Sequence, residues 1–196
     1  MAVYSPHWFM RNNLFKREAA EVPPGGDVFL GDSLTEKFDL QKYFPDRPVI
    51  NRGINGDHID GLLKRLDICA LALKPSRIFI MIGINDIADG RSNAYILHLY
   101  AQIVEILSKE REALIYINSV LPTGPEVERC PPRQIIELNS ELRGFTNAGQ
   151  IYFVDLYHSF IKIPPGLDPA LSVDGLHLNE AGYARWTDIL KTVATF

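Results

Sequence analysis

Four short segments carry the residues that could do chemistry: Gly31-Asp32-Ser33-Leu34, Asn51-Arg52-Gly53, Gly83-Ile84-Asn85-Asp86 and Asp174-Gly175-Leu176-His177. Together they supply a serine hydroxyl, a glycine N–H, an asparagine amide, and a histidine with an aspartate three residues before it. A hydroxyl attacks an ester carbonyl once a base takes its proton. The base needs a carboxylate to orient it, and the oxyanion that forms needs aimed donors. One segment alone says little. Four in this order make a specific pattern.

Each residue also has a plainer reading. Ser33-Leu34-Thr35-Glu36 has the residue types of a capping box, with serine at the N-cap and glutamate three residues on. Asp32 would then brace the turn. Asp174-Gly175 is a common turn dipeptide. Asn85 could cap a helix starting near Ser92, and Gly53 could serve only a tight backbone path. His7, His98 and His158 show how often histidine is incidental. His58 is the only other histidine beside a motif, and with Asp32 it is assigned to the rim of the site.

The elements that must position these residues follow from hydrophobic spacing. Apolar runs over Asp27 to Gly31, Val49 to Ile50, Arg77 to Ile82, Leu114 to Val120 and Ile151 to Leu156 predict short buried strands. Between them, Ile59, Leu62, Leu63, Leu66, Ala70 and Leu73 recur at helical spacing. So do Ile96, Leu99, Tyr100, Ile103 and Leu107, and later Ile135, Leu138 and Leu142. A last helix is expected from Asn179 to Val193, with Tyr183, Trp186, Ile189 and Leu190 facing inward. Trp8 to Ala20 predicts a further helix on the outside. The whole chain, 1–196, is read as one domain, with 1–26 as a helical extension packed on it. Buried strands alternating with helices imply a mostly parallel sheet covered on both faces. Ser33, Gly53 and Asn85 then follow the first three strands, where open α/β sheets bind ligands.

The bulk numbers exclude other classes. The chain has 196 residues, 46% hydrophobic and 22% charged, with a formal net charge of −4. Nothing here suggests nucleic acid as a partner. Cys69 reads as a small core residue, and Cys130 lies in a proline-rich loop. No C-x-x-C or H-E-x-x-H spacing exists, so neither metal nor cofactor is expected. No G-x-G-x-x-G or P-loop pattern marks a phosphate-binding module. The first fifteen residues do not read as a signal peptide. A cytoplasmic protein without a membrane span is expected, with its oligomeric state open.

On these four segments the chain resembles the SGNH-hydrolase superfamily, the GDSL esterases and lipases. The segment Asn51-Arg52-Gly53-Ile54-Asn55-Gly56-Asp57 matches its second block. Within it, the chain is most similar to small bacterial acetylhydrolases related to platelet-activating-factor acetylhydrolase. His58 stands where such proteins often carry threonine. The resemblance implies a three-layer α/β/α fold with a five-stranded parallel sheet of flavodoxin-like order. It implies Ser33 as nucleophile, His177 as general base and Asp174 as its orienting carboxylate. It implies an oxyanion hole from the Ser33 and Gly53 N–H groups and the Asn85 amide. The expected reaction is hydrolysis of a short acyl ester, acetyl above all, of a polar alcohol such as a sugar. Acyl transfer through the same site, and lysophospholipase or thioesterase action on longer chains, are the alternatives. A groove for a long chain would show as an apolar run, since each buried methylene gains about 0.8 kcal/mol. The two proline-rich loops, Pro122 to Gln134 and Ile163 to Ser172, offer only Val127, Ile163, Leu167 and Leu171 as bulky apolar side chains.

Overall fold

The five apolar runs form five strands: β1 (Asp27–Gly31), β2 (Val49–Gly53), β3 (Arg77–Met81), β4 (Leu114–Asn118) and β5 (Ile151–Val154). In the computed structural model they make one sheet of order β2-β1-β3-β4-β5, every pair parallel. Residues 4–110, 112–147, 149–163 and 165–194 are described. Met1 to Val3 of the expected extension and Pro164 of the second proline-rich loop lie outside them.

The helices are α1 (Pro6–Glu18), α2 (Ser33–Glu36), α3 (Leu40–Tyr43), α4 (Ile59–Cys69), α5 (Ile84–Ala88), α6 (Asn93–Leu107), α7 (Pro132–Arg143) and α8 (Glu180–Val193). Alternate residues of each strand point to opposite faces, and two cores result. Val28, Leu30, Ile78 and Ile80 pack with Trp8, Phe15, Leu62, Ile103 and Leu138 from α1, α4, α6 and α7. Phe29, Phe79 and Tyr116 pack on the other face with Phe38, Phe160, Trp186 and Leu190. Across that face the rings of Phe29, Phe79 and Tyr116 stack at 4.5 and 4.8 Å. Slipping a strand by one residue would exchange its two faces, so this ladder pins the register.

Three details depart from the sequence reading. The segment expected as an irregular loop holds a small antiparallel hairpin, β6 (Ile161–Ile163) with β7 (Gly166–Leu167). Leu167 is buried there, and its N–H donates to Thr123 O. Ile189, expected inward, is only half-buried. Asn85 does not cap α6, because Ser92 does so itself, its Oγ accepting from Tyr95 N–H.

The topology sets the position of the site. The chain leaves β1 toward β2 on one side and reaches β3 on the other. The reversal opens a crevice at the carboxyl ends of β1 and β3, and the segments after those strands carry Ser33 and Asn85.

Candidate active site

Gly31 ends β1 where no side chain fits: a Cβ would meet Thr35 Oγ1 at 2.2 Å and Met81 O at 2.4 Å. The chain then turns sharply into α2. The cap of that helix is Asp32, whose Oδ1 accepts from Leu34 N–H at 3.0 Å. The expected capping box with Ser33 at the N-cap is therefore not formed. The Asp32 carboxylate moves the helix start one residue upstream, and the Glu36 carboxylate faces His7, Arg11 and the Asn55 N–H instead. That frees the Ser33 hydroxyl, which lies 3.0 Å from His177 Nε2. Asp32 does brace the turn, but it is buried rather than at the rim. Its Oδ2 has no hydrogen-bond partner among the described residues. Burial pushes its carboxyl up to about 7, against the Leu34 N–H that pulls it down.

His177 is held by its own loop. Its Nδ1 lies 2.7 Å from Asp174 Oδ2, while Asp174 Oδ1 accepts from the N–H groups of Leu176 and His177. Desolvation raises the Asp174 carboxyl, but the imidazole and these two N–H groups outweigh it and hold it at about 2. An ionised Asp174 only accepts, so the proton sits on Nδ1 and Nε2 faces the serine as an acceptor. Ser172 Oγ ties the loop together, accepting from Gly175 N–H and donating to His177 O. Gly175 has φ +78°, a left-handed turn that favours glycine.

Two groups could face a developing oxyanion beside the Ser33 N–H. Asn85 Nδ2 donates one hydrogen to Asp57 O at 2.9 Å and keeps a second. The Gly53 N–H, expected in the hole, is already committed to Asn51 Oδ1 at 2.9 Å. Gly53 also lies against the backbone of α2, where a Cβ would meet Glu36 N at 2.2 Å. The glycine of the same segment with an unused N–H among the described residues is Gly56, which is exposed and has φ +74°. The missed signal was a glycine placed immediately before an aspartate that anchors the loop. His58 caps α4 without a side-chain bond, and its Nε2 lies 2.9 Å from Asp89 Oδ2, partly exposed.

Asp57 and Arg65 also escaped the sequence reading. Arg65 is fully buried, pairs with Asp57 at 2.9 Å and donates to Arg52 O and Gly31 O. It thus links the end of β1 to the loop after β2. Asp86 does the same for α5, accepting from Ile59 N–H and from Arg91. Among the described residues no three His, Cys, Asp or Glu side chains are grouped to hold a metal ion.

Two cavities matter. One of about 10 Å³, room for about one water, is lined by Leu34, Ile84, Leu176, Val120, Pro122 and the buried Asp32. Leu34, Ile84 and Leu176 are the chain neighbours of Ser33, Asn85 and His177. The other, about 650 Å³, lies between the two proline-rich loops, against Pro125, Val127, Cys130, Pro132, Leu167 and Pro169. The count of bulky aliphatics had argued against such a groove. Proline rings, left out of that count, supply much of its apolar wall.

Residues 29–185 match the model of the GDSL-like lipase/acylhydrolase family. No curated protein matches the chain. Among solved structures, a candidate platelet activating factor from Streptococcus pneumonia has a TM-score of 0.89 at 25% identity, covering 95% of this chain and 92% of its own. A GDSL-like lipase from Bacteroides thetaiotaomicron has a TM-score of 0.82 at 25% identity, covering 94% and 98%. An acetylxylan esterase from Geobacillus stearothermophilus has a TM-score of 0.69, covering 87% and 94%; at 20% identity it shows the fold alone.

Proposed function

The chain belongs to the GDSL-like lipase/acylhydrolase family, and we propose that it is a serine esterase removing short acyl groups, acetyl foremost, from a polar alcohol such as a sugar. The observation that carries this reading is the unbroken line from Asp174 through His177 to Ser33, at 2.7 and 3.0 Å. Ser33 Oγ attacks the ester carbonyl carbon while its proton passes to His177 Nε2. The tetrahedral oxyanion lies against the N–H groups of Ser33 and Gly56 and the free hydrogen of Asn85. The C–O bond to the alcohol then breaks, and Nε2 returns the proton to the departing oxygen. A water repeats the sequence on the acyl-serine, giving its proton to Nε2 and its oxygen to the acid product. Asp174 stays ionised throughout and holds the imidazole in the required tautomer.

The acetylxylan esterase supplies a precedent for an acetylated sugar on this fold. One observation favours a second reading, hydrolysis of longer acyl chains: the 650 Å³ cavity. Gly124, Pro125, Leu167 and Pro169 line it and also a smaller cavity that reaches Asp174 and Gly175. The test compares kcat/KM for p-nitrophenyl acetate, butyrate and octanoate, with Ser33→Ala as control. Acetate is expected to lead. A clear lead for octanoate would replace the first reading with the second.

A further inference from the structure

Helix α1 precedes the span matched by the family, yet it grips the loop that carries Gly56. The loop runs from Gly53 to Asp57, and α1 holds both ends. Arg11 Nη2 donates to Gly53 O at 3.1 Å. The Trp8 indole N–H donates to Asp57 Oδ1 at 3.0 Å, with both side chains buried. Between them, Glu36 accepts from the Asn55 N–H and meets His7 and Arg11 of α1.

Asp57 is where these contacts reach the site. Its carboxylate takes Trp8 on one oxygen together with the His58 N–H, and Arg65 on the other. Its carbonyl takes the Asn85 amide at 2.9 Å. Rotating Asp57 would therefore swing the amide. The opposite helix makes room for this arrangement. A Cβ at Gly61, inside α4, would lie 2.0 Å from Asp57 Oδ1 and 3.2 Å from Trp8 Nε1. Glycine in the first turn of α4 thus leaves the space in which the indole and the carboxylate meet.

We propose that Trp8 is a positioning residue for the esterase reaction: its indole N–H fixes Asp57, and through the Asp57 carbonyl it sets the angle of the Asn85 amide. This rests on the oxyanion reading given above. The ring also packs, stacked on Tyr4 at 4.3 Å, so the test must separate the N–H from the packing. Two substitutions do this: Trp8→Phe, and 3-benzothienylalanine at position 8, which keeps the indole shape and replaces N–H by sulfur. Each is measured on p-nitrophenyl acetate with active sites titrated, in the wild-type and Asn85→Ala backgrounds.

The benzothienyl variant should fold with an unchanged circular dichroism spectrum, lose about tenfold in kcat and keep KM within twofold. In the Asn85→Ala background the same substitution should change kcat by less than twofold, because the group through which Trp8 acts is gone. A kcat within twofold of wild type in the folded benzothienyl variant overturns the proposal. An equal loss in both backgrounds also overturns it, since that marks a structural role. Full activity of Asn85→Ala alone would overturn the oxyanion assignment and this inference together. An impaired Asn85→Ala with a neutral position 8 would overturn this inference only.

Discussion

Asp32→Asn isolates one buried carboxyl beside the nucleophile. Asparagine caps a helix as well as aspartate, so the bond to Leu34 N–H survives the change. What changes is ionisation. The folded carboxyl takes its proton at about 7, because burial disfavours the charge and Oδ2 has no partner. The unfolded one takes it at about 4. Between those values the folded chain holds one proton more than the unfolded chain, so stability falls as pH rises from about 4 through 7 and levels off above. From pH 5 to pH 9 the wild type should lose about 3 kcal/mol through this group, at about 1.4 kcal/mol per tenfold step. Asp86, pushed up to about 6 chiefly by burial, is present in both proteins, and its charge is one of the influences that raise Asp32. The cost of an unpaired amide N–H in the variant is independent of pH and cancels. Urea unfolding at pH 5 and pH 9, followed by circular dichroism, gives the four free energies. The advantage of the variant should grow by about 3 kcal/mol between the two pH values. Growth below about 1 kcal/mol would show that Asp32 is charged and partnered in the folded state, and the reasoning would fail.

Asn85→Ala should keep its melting temperature and lose about 10²–10³ in kcat on p-nitrophenyl acetate, the usual effect of removing one oxyanion donor; a loss under tenfold would remove Asn85 from the hole. Gly53→Ala should fail to fold or melt far lower, because its Cβ strikes the backbone of α2. Gly56→Ala, whose Cβ meets open space, should fold with only a modest penalty from its positive φ. Arg65→Met leaves Asp57 buried without its cation and should cost about 3–5 kcal/mol in urea unfolding. A loss below about 1 kcal/mol would mean that Asp57 is neutral in the folded chain.

The strands were legible because contiguous apolar residues, bounded by turn residues, admit few other arrangements. Their order came from the resemblance, and the register Gly31 to Gly53 and Gly31 to Met81 agrees with it. The serine, histidine and aspartate were legible as residue types, and the fold brings all three into one line. What escaped was the choice between neighbours competing for one bond. Asp32 and Ser33 are both good caps, and only the backbone turn decides which reaches the Leu34 N–H. Gly53 and Gly56 differ because the Asn51 side chain folds back on the first, an event that leaves no mark on composition. The apolar spacing of α4 does not single out Arg65, yet it points inward to Asp57, Arg52 O and Gly31 O.

The two cores on opposite faces of the sheet each contain one of the chain's two tryptophans, Trp8 and Trp186. The protein thus carries its own pair of optical reporters. Their indoles sit in different polarity: Trp8 donates its N–H to a carboxylate, while the N–H of Trp186 is buried without a partner among the described residues, its ring 4.9 Å from that of Phe38. Emission from Trp186 should lie to the blue of emission from Trp8. Detachment of α1 alone would redden only the Trp8 component. Loss of the opposite core would redden only the Trp186 component. A fluorescence melt can therefore tell whether the half of the molecule that aims the amide and the half that buries the aromatic ladder come apart together.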